Sequence, residues 1–153
     1  MDTKSIKIPN ILRAQVCLIL NICFSKVNPL FLKVAVVGES TVGKTSICHQ
    51  LATDGTDFPK NYIMTTFSDI QVKSVKIPDT NDVVELFLVD SSGKEYYQDL
   101  LKESWSQANM IVAVYDCTRE ESFGNVTKVS INHIIYFSAN KLMIFVLLLG
   151  VKQ

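Results

Sequence analysis

An α/β fold with a mostly parallel central sheet flanked by helices is predicted by three features of this 153-residue sequence. Short apolar strands alternate with helix-like segments. A glycine-rich stretch falls at the junction of the first such strand and the first helix. Later strands are nearly continuous in apolar residues, as strands buried on both faces are. In sheets of this kind ligands collect at the carboxyl ends of the strands, which directs attention to the residues there.

The run Phe31 to Gly38 is β-branched, apolar and stopped by glycine, and reads as the first buried strand. From Lys44 the segment Lys-Thr-Ser-Ile-Cys-His-Gln-Leu reads as a helix, ended by Thr53-Asp54-Gly55. Ile70 to Ile77 places Ile70, Val72 and Val75 in a partly alternating pattern, which predicts a strand with one wet face. The turn residues from Pro78 to Asp82 then predict a hairpin. Its second arm, Val83 to Asp90, is apolar enough to sit centrally in the sheet. Tyr96 to Trp105 has helical spacing, Met110 to Tyr115 reads as a buried strand, and Glu120 to Val129 begins like a helix. The pattern degrades from Ser130 to Lys141, where a helix is placed without clean periodicity or good caps, and Met143 to Gly150 reads as a last strand.

Composition excludes several classes. A hydrophobic fraction of 48% with 20% charged residues is that of a globular chain, and the formal net charge of +0 provides no overall basic field for nucleic acid. No nucleic-acid partner is expected. Cys17, Cys23, Cys48 and Cys117 form no CxxC pair, which argues against a zinc site or a secreted disulfide framework. Cys48 and Cys117 fall in predicted helix and strand, where cysteine commonly acts as a small buried hydrophobe. The run Val16 to Phe24 follows Lys4, Lys7 and Arg13 as in a signal peptide, but Asn21 interrupts it and no small-residue cleavage site stands out. Leu142 to Leu149 is too short to cross a bilayer, which takes roughly 20 apolar residues. A cytoplasmic chain is expected.

The chemistry lies in Gly38-Glu39-Ser40-Thr41-Val42-Gly43-Lys44-Thr45, which fits GxxxxGK[ST]. Gly38 and Gly43 let the backbone turn and approach an anion closely. Backbone N–H groups and the start of the next helix then face it. Lys44 supplies a point charge to the β- and γ-phosphates, and the Thr45 hydroxyl is suited to Mg²⁺. The bland alternative is a glycine-rich turn with an exposed lysine. A random chain of this length matches in well under about 1% of cases, and here a strand and a helix flank the loop as the mechanism requires.

The second element is Asp90-Ser91-Ser92-Gly93, directly after a buried strand. DxxG alone is weak, because Asp and Gly end many strands. Beside a phosphate loop it gains meaning: the Asp90 carboxylate is in reach of the metal shell, and the Gly93 N–H is suited to sense a γ-phosphate.

These two motifs, with Tyr115-Asp116-Cys117-Thr118 and Glu120-Glu121-Ser122-Phe123, resemble the Rab-like branch of the Ras-like small GTPases, which have the P-loop NTPase fold. Asp54-Gly55 with Phe58, Lys60, Tyr62, Thr65 and Thr66, then Pro78-Asp79-Thr80, Val84-Glu85-Leu86-Phe87 and Asp90 to Glu95, narrow the likeness to its intraflagellar-transport group. The resemblance covers roughly Lys33 to Val129. It implies that Gly38, Glu39, Ser40, Thr41, Val42, Gly43, Lys44, Thr45, Ser46, Thr65, Asp90 and Gly93 bind GTP or GDP. Thr45, Thr65 and Asp90 are implied as the Mg²⁺ set, with Thr66 competing for the switch role of Thr65. The implied partners are intraflagellar transport protein 25 and the ciliary transport complex. A nucleotide-regulated adaptor in the cytoplasm and cilium is therefore expected.

Departures from the pattern qualify that expectation. Lys94 stands where most Ras-like hydrolases have a catalytic glutamine, so GTP hydrolysis is expected to be slow. The guanine-reading NKxD motif is not matched by Gly150-Val151-Lys152-Gln153, which suggests a truncated, partial domain over 33–153. Residues 1–32 read as an extension of unknown role. No prenylation cysteine closes the sequence, so no direct lipid anchor is expected.

Tyr96, Tyr97 and Trp105 are candidates for a partner surface, although aromatics at helical spacing more often pack inside. His49 and His133 have no metal or triad spacing, and Asp116 ends a strand with no catalytic role assigned. A P-loop metabolic kinase is the alternative enzyme class. It is disfavoured because such enzymes clamp phosphates with several arginines, and only Arg13 and Arg119 occur. A third alternative is a non-binding, unstable remnant.

Overall fold

The computed structural model describes residues 31–56, 61–77 and 81–126, and the backbone of 145–151. Among the described residues five strands form one sheet: β1 (Phe31–Val37), β2 (Ser68–Lys76), β3 (Val83–Ser91), β4 (Met110–Asp116) and β5 (Phe145–Val151). The spatial order is β2-β3-β1-β4-β5. β1 pairs in parallel with both β3 and β4, and β4 in parallel with β5. Among the described strands, only the β2–β3 pairing is antiparallel. The predicted α/β class with a mostly parallel sheet is therefore present. β3 is an interior strand, but the centre belongs to β1.

Helix α1 (Lys44–Ala52) follows β1, and a 3₁₀ turn (Glu95–Tyr97) leads into α2 (Gln98–Ser106) after β3. A further helix, α3, runs over 120–126. The predicted helix of 130–141 and His133 lie outside the described residues.

The pleat of β1 explains the layering, because successive side chains point to opposite faces. Leu32, Val34 and Val36 join Leu86, Leu88, Val112 and Val114 under Ile47 and Cys48 of α1. Ala35 and Val37 point the other way, with Ile111 and Ala113, under Leu101 and Trp105 of α2 and Val126 of α3. Each face thus closes one hydrophobic core, and the ends of β1, β3 and β4 are held rigidly between them. That rigidity fixes the loops where chemistry is expected.

Packing decides three points. Cys48 is buried as expected, but Cys117 lies just past the end of β4 and is exposed. Trp105 belongs to no partner surface: only 4% of it is exposed, and its indole N–H donates to Ser91 Oγ at 2.8 Å. Of the three aromatics, Tyr96 alone is strongly exposed, while Tyr97 packs against the second core. In β2 the apolar residues do not mark the buried face. Ile70 and Val72 are 58% and 50% exposed on one side, whereas Val75 packs on the core from the other.

Candidate functional site

The phosphate loop begins where β1 ends. A Cβ on Gly38 would stand 2.2 Å from the carbonyl oxygen of Val114 in β4, so only glycine fits there. Thr41 (φ 66°) and Gly43 (φ 95°) adopt left-handed backbone conformations that curl successive N–H groups toward a common centre. Gly43 also caps α1, and makes no side-chain cap to the helix's first N–H groups. Those groups carry the positive end of the helix dipole and suit an anion. Val42 anchors the loop from inside, fully buried in the first core. Ser46 is half-buried in the first turn of α1.

Lys44 is buried, and its Nζ donates to the carbonyl oxygen of Glu39 at 2.6 Å. Burial lowers the ammonium's pKa to about 8, against the opposing pull of the Asp90 carboxylate. An ammonium so poorly solvated gains from any phosphate that enters.

The next helical residue completes a polar cluster. Thr45 Oγ1 donates to Asp90 Oδ2 at 2.6 Å, and Thr65 Oγ1 donates to the same oxygen at 3.0 Å. The two hydroxyls are 3.1 Å apart. Asp90 is fully buried, and its Oδ1 has no hydrogen-bond partner. Burial raises its carboxyl pKa, while the two threonine hydroxyls and then Lys44 pull the other way. A hard cation would satisfy that orphaned oxygen. Mg²⁺ takes oxygen ligands in a small, strict shell, and two hydroxyls with one carboxylate are suitable donors. Thr66 is exposed and outside this cluster, so the geometry brings Thr65 to Thr45 and Asp90.

Gly93 lies against the phosphate loop. A Cβ there would meet Ser40 N at 2.2 Å and Glu39 C at 2.3 Å, both backbone atoms. The DxxG turn is held in place by Ser92 N donating to Phe67 O at 2.8 Å. Lys94 follows, half-buried, at the start of the 3₁₀ turn. A groove of about 100 Å³ runs past Gly43, Lys44, Thr45, Thr65 and Gly93. A cavity of about 560 Å³ adjoins it, sharing Ser40, Thr41, Ser92 and Gly93, and is bounded further by Glu39, Gln98, Trp105, Arg119 and Asn125.

Asp116, which the sequence left without a role, organises the corner after β4. Its Oδ1 accepts from the Thr118 N–H at 2.9 Å and the Thr118 hydroxyl at 2.6 Å, and its Oδ2 accepts from Arg119 Nε at 3.1 Å. Asn125 was not foreseen at all. Its Nδ2 donates to Glu39 Oε1 at 2.6 Å across 86 positions of sequence, and no local pattern marks such a contact.

A family model described as "Ras family" matches residues 33–153. The chain belongs to the Ras family. Among curated relatives, this Ras-family chain is 46% identical over 96 residues to "Intraflagellar transport protein 27 homolog" of Bos taurus, covering 63% of the chain and 52% of the relative. It is 41% identical over 91 residues to "Intraflagellar transport protein 27" of Chlamydomonas reinhardtii, covering 60% and 45%. To human "Rho-related GTP-binding protein RhoE" it is 35% identical over 114 residues, covering 74% and 45%. The chain spans about half the length of these curated relatives. Among the described residues, no helix is long and apolar enough to cross a membrane.

Proposed function

We propose that this Ras-family chain binds guanine nucleotides with Mg²⁺, hydrolyses GTP slowly, and acts as a nucleotide-regulated adaptor in intraflagellar transport. The observation that carries the nucleotide reading is the convergence of Thr45 and Thr65 on Asp90, beside a buried Lys44 at the head of a helix. A buried carboxylate with one orphaned oxygen and a desolvated ammonium together cost stability unless a ligand offsets them. A metal-bound nucleotide offsets both.

In this reading Lys44 and the loop N–H groups bind the phosphates, and Gly93 presents its N–H to the terminal one. Thr45, Thr65 and Asp90 hold Mg²⁺, which when bound neutralises phosphate charge and templates the phosphates. Thr65 belongs to the segment leading into β2 and Gly93 to the turn leaving β3. A ligand that ties both to α1 therefore changes a surface along one edge of the domain.

The role in intraflagellar transport is supported by the likeness to proteins named intraflagellar transport protein 27; the adaptor role, the ciliary location alongside the cytoplasm and pairing with intraflagellar transport protein 25 are what the resemblance implies. Slow hydrolysis is supported by Lys94 in place of the glutamine that positions water.

Isothermal titration of the chain with GTP and GDP, in Mg²⁺ and in chelator, tests the site. Saturable binding strengthened by Mg²⁺ and lost in Lys44→Ala is the expected result. Equal heats from Lys44→Ala and the parent would place the nucleotide elsewhere.

A further inference from the structure

Glu39 puts a carboxylate inside a loop whose task, on the nucleotide reading above, is to attract several negative charges. The structure shows where that carboxylate goes. Its Oε1 accepts from Asn125 Nδ2 at 2.6 Å, and its Oε2 lies 3.8 Å from Arg119 Nη1. Arg119 is in turn gripped by Asp116. The Glu39 side chain thereby borders the 560 Å³ cavity, while the small groove along Lys44 and Thr45 is lined without it. Its main-chain carbonyl meanwhile holds Lys44 Nζ.

We propose that Asn125 and Arg119 are positioning residues for nucleotide binding: they hold the Glu39 carboxylate against the larger cavity, off the groove along Lys44 and Thr45, and offset its charge. The groove along Lys44 and Thr45 then keeps the positive field that phosphates require. Neither residue belongs to the phosphate motif or the metal cluster. An exposed ion pair at 3.8 Å is by itself worth little. The effect rests on the short amide–carboxylate bond, a charge-assisted contact of the stronger kind, with Arg119 adding its charge.

This rests on the nucleotide reading, and the test separates the two. A fluorescent GDP analogue with Mg²⁺ is titrated against the full chain, Asn125→Ala/Arg119→Ala, and the same double variant carrying Glu39→Gln. The double variant should bind about tenfold more weakly, the scale of one hydrogen bond to a charged group. Removing the carboxylate should bring affinity back to within about twofold of the parent, and the gap should narrow in high salt. A purely structural role for Asn125 and Arg119 gives no rescue by Glu39→Gln, and that result overturns the proposal, as does unchanged affinity in the double variant. If the double variant fails to fold, Asn125→Asp, which sets a like charge against Glu39, must weaken binding and be rescued by Glu39→Gln in the same way. Hydrogen exchange of residues 38–44 in the ligand-free chain gives a readout without nucleotide. It should quicken about tenfold on loss of the tether. If the parent binds no nucleotide, the nucleotide reading fails, and the exchange measurement alone then decides whether the tether holds the loop.

Discussion

The hydroxyl oxygens of Thr45 and Thr65 stand 3.1 Å apart, although the first lies in the first turn of a helix and the second in the segment before β2. Their shared acceptor, Asp90 Oδ2, joins α1, the approach to β2 and the end of β3 at one point. Three pieces of chain are thus coupled through a single buried oxygen. Whatever binds there acts on all three.

Thr65→Ala should remove the Mg²⁺-dependent part of nucleotide affinity and leave the Mg²⁺-free part nearly unchanged. Thr66→Ala should do neither, since Thr66 is exposed and outside the cluster. A loss of about tenfold in Mg²⁺ is expected for Thr65→Ala, as for one hydrogen-bonding or ligating group. Comparing titrations in Mg²⁺ and in chelator measures it. The reverse ranking of the two threonines would move the switch role to Thr66.

Gly93→Ala tests the contact between the two loops. The new Cβ would overlap the Ser40 nitrogen and the Glu39 carbonyl carbon, and backbone atoms cannot swing aside as a side-chain tip can. One loop must shift. We expect a loss of roughly 1–3 kcal/mol in stability, typical of overpacking, together with a smaller preference for GTP over GDP. Urea unfolding and paired GTP and GDP titrations read the two effects. Parent-like values in both would mean that the loops part at no cost.

Trp105→Phe separates packing from partner binding. The indole is buried and donates to Ser91 Oγ, one residue from Asp90, so the variant loses a buried hydrogen bond and some packing volume. A destabilisation of about 1–3 kcal/mol is expected from the unpaired hydroxyl and the smaller ring. Chemical denaturation checks this, and an undiminished unfolding midpoint would return Trp105 to the list of surface candidates.

The phosphate loop was legible because its chemistry is local: Gly38 where a Cβ collides, Gly43 where the backbone turns left-handed, then a lysine and a hydroxyl in the next two positions. Thr65 was not legible from its own surroundings, since a threonine in a polar loop looks ordinary until Asp90 is seen beside it. It entered through the family resemblance. The Glu39–Asn125 contact was invisible for a different reason, because it exists only once β1 and β4 pair and bring their following segments together. In β2 the alternation marks a strand with one wet face but does not say which face that is. The apolar residues Ile70 and Val72 stand on the side that the described helices leave open. A period of two says that faces differ, and only tertiary packing says which is covered.

Asp116 provides a test in acid. Hydrogen bonds from the Thr118 hydroxyl and N–H hold its carboxyl pKa below the ordinary carboxylate value, burial pushes the other way, and Arg119 adds to the lowering. A carboxyl depressed in the folded state contributes stability above its unfolded pKa and loses it as pH falls through the folded value. Stability should therefore decline more steeply toward acid in the parent than in Asp116→Asn. Urea midpoints between neutral pH and pH values below the carboxylate range give both slopes. Identical slopes would show that Asp116 does not titrate with folding.

The slowness of the proposed switch turns on Lys94. It follows Gly93 at the start of the 3₁₀ turn, with its backbone N–H 3.4 Å from Ser92 Oγ, so its Cα is placed by the same turn that sets Gly93 against the phosphate loop. A glutamine amide both donates and accepts, and so can orient an attacking water toward a phosphate. An ammonium only donates, and it cannot take up the lone-pair-accepting part of that role. Its charge can still steady phosphate oxygens, which favours the bound GTP state without positioning the nucleophile. Ras, which has the glutamine, turns over at only roughly 3–5 × 10⁻⁴ s⁻¹ without an activating partner. The parent chain should fall below that rate. Lys94→Gln should raise the single-turnover rate by about tenfold or more, the scale of one positioned catalytic group, with nucleotide affinity changed far less. If the parent already hydrolyses GTP at the rate of a glutamine-bearing relative, the slow-switch reading fails. If Lys94→Gln binds as tightly as the parent and gains no rate, the limit lies in another residue and Lys94 is not its cause.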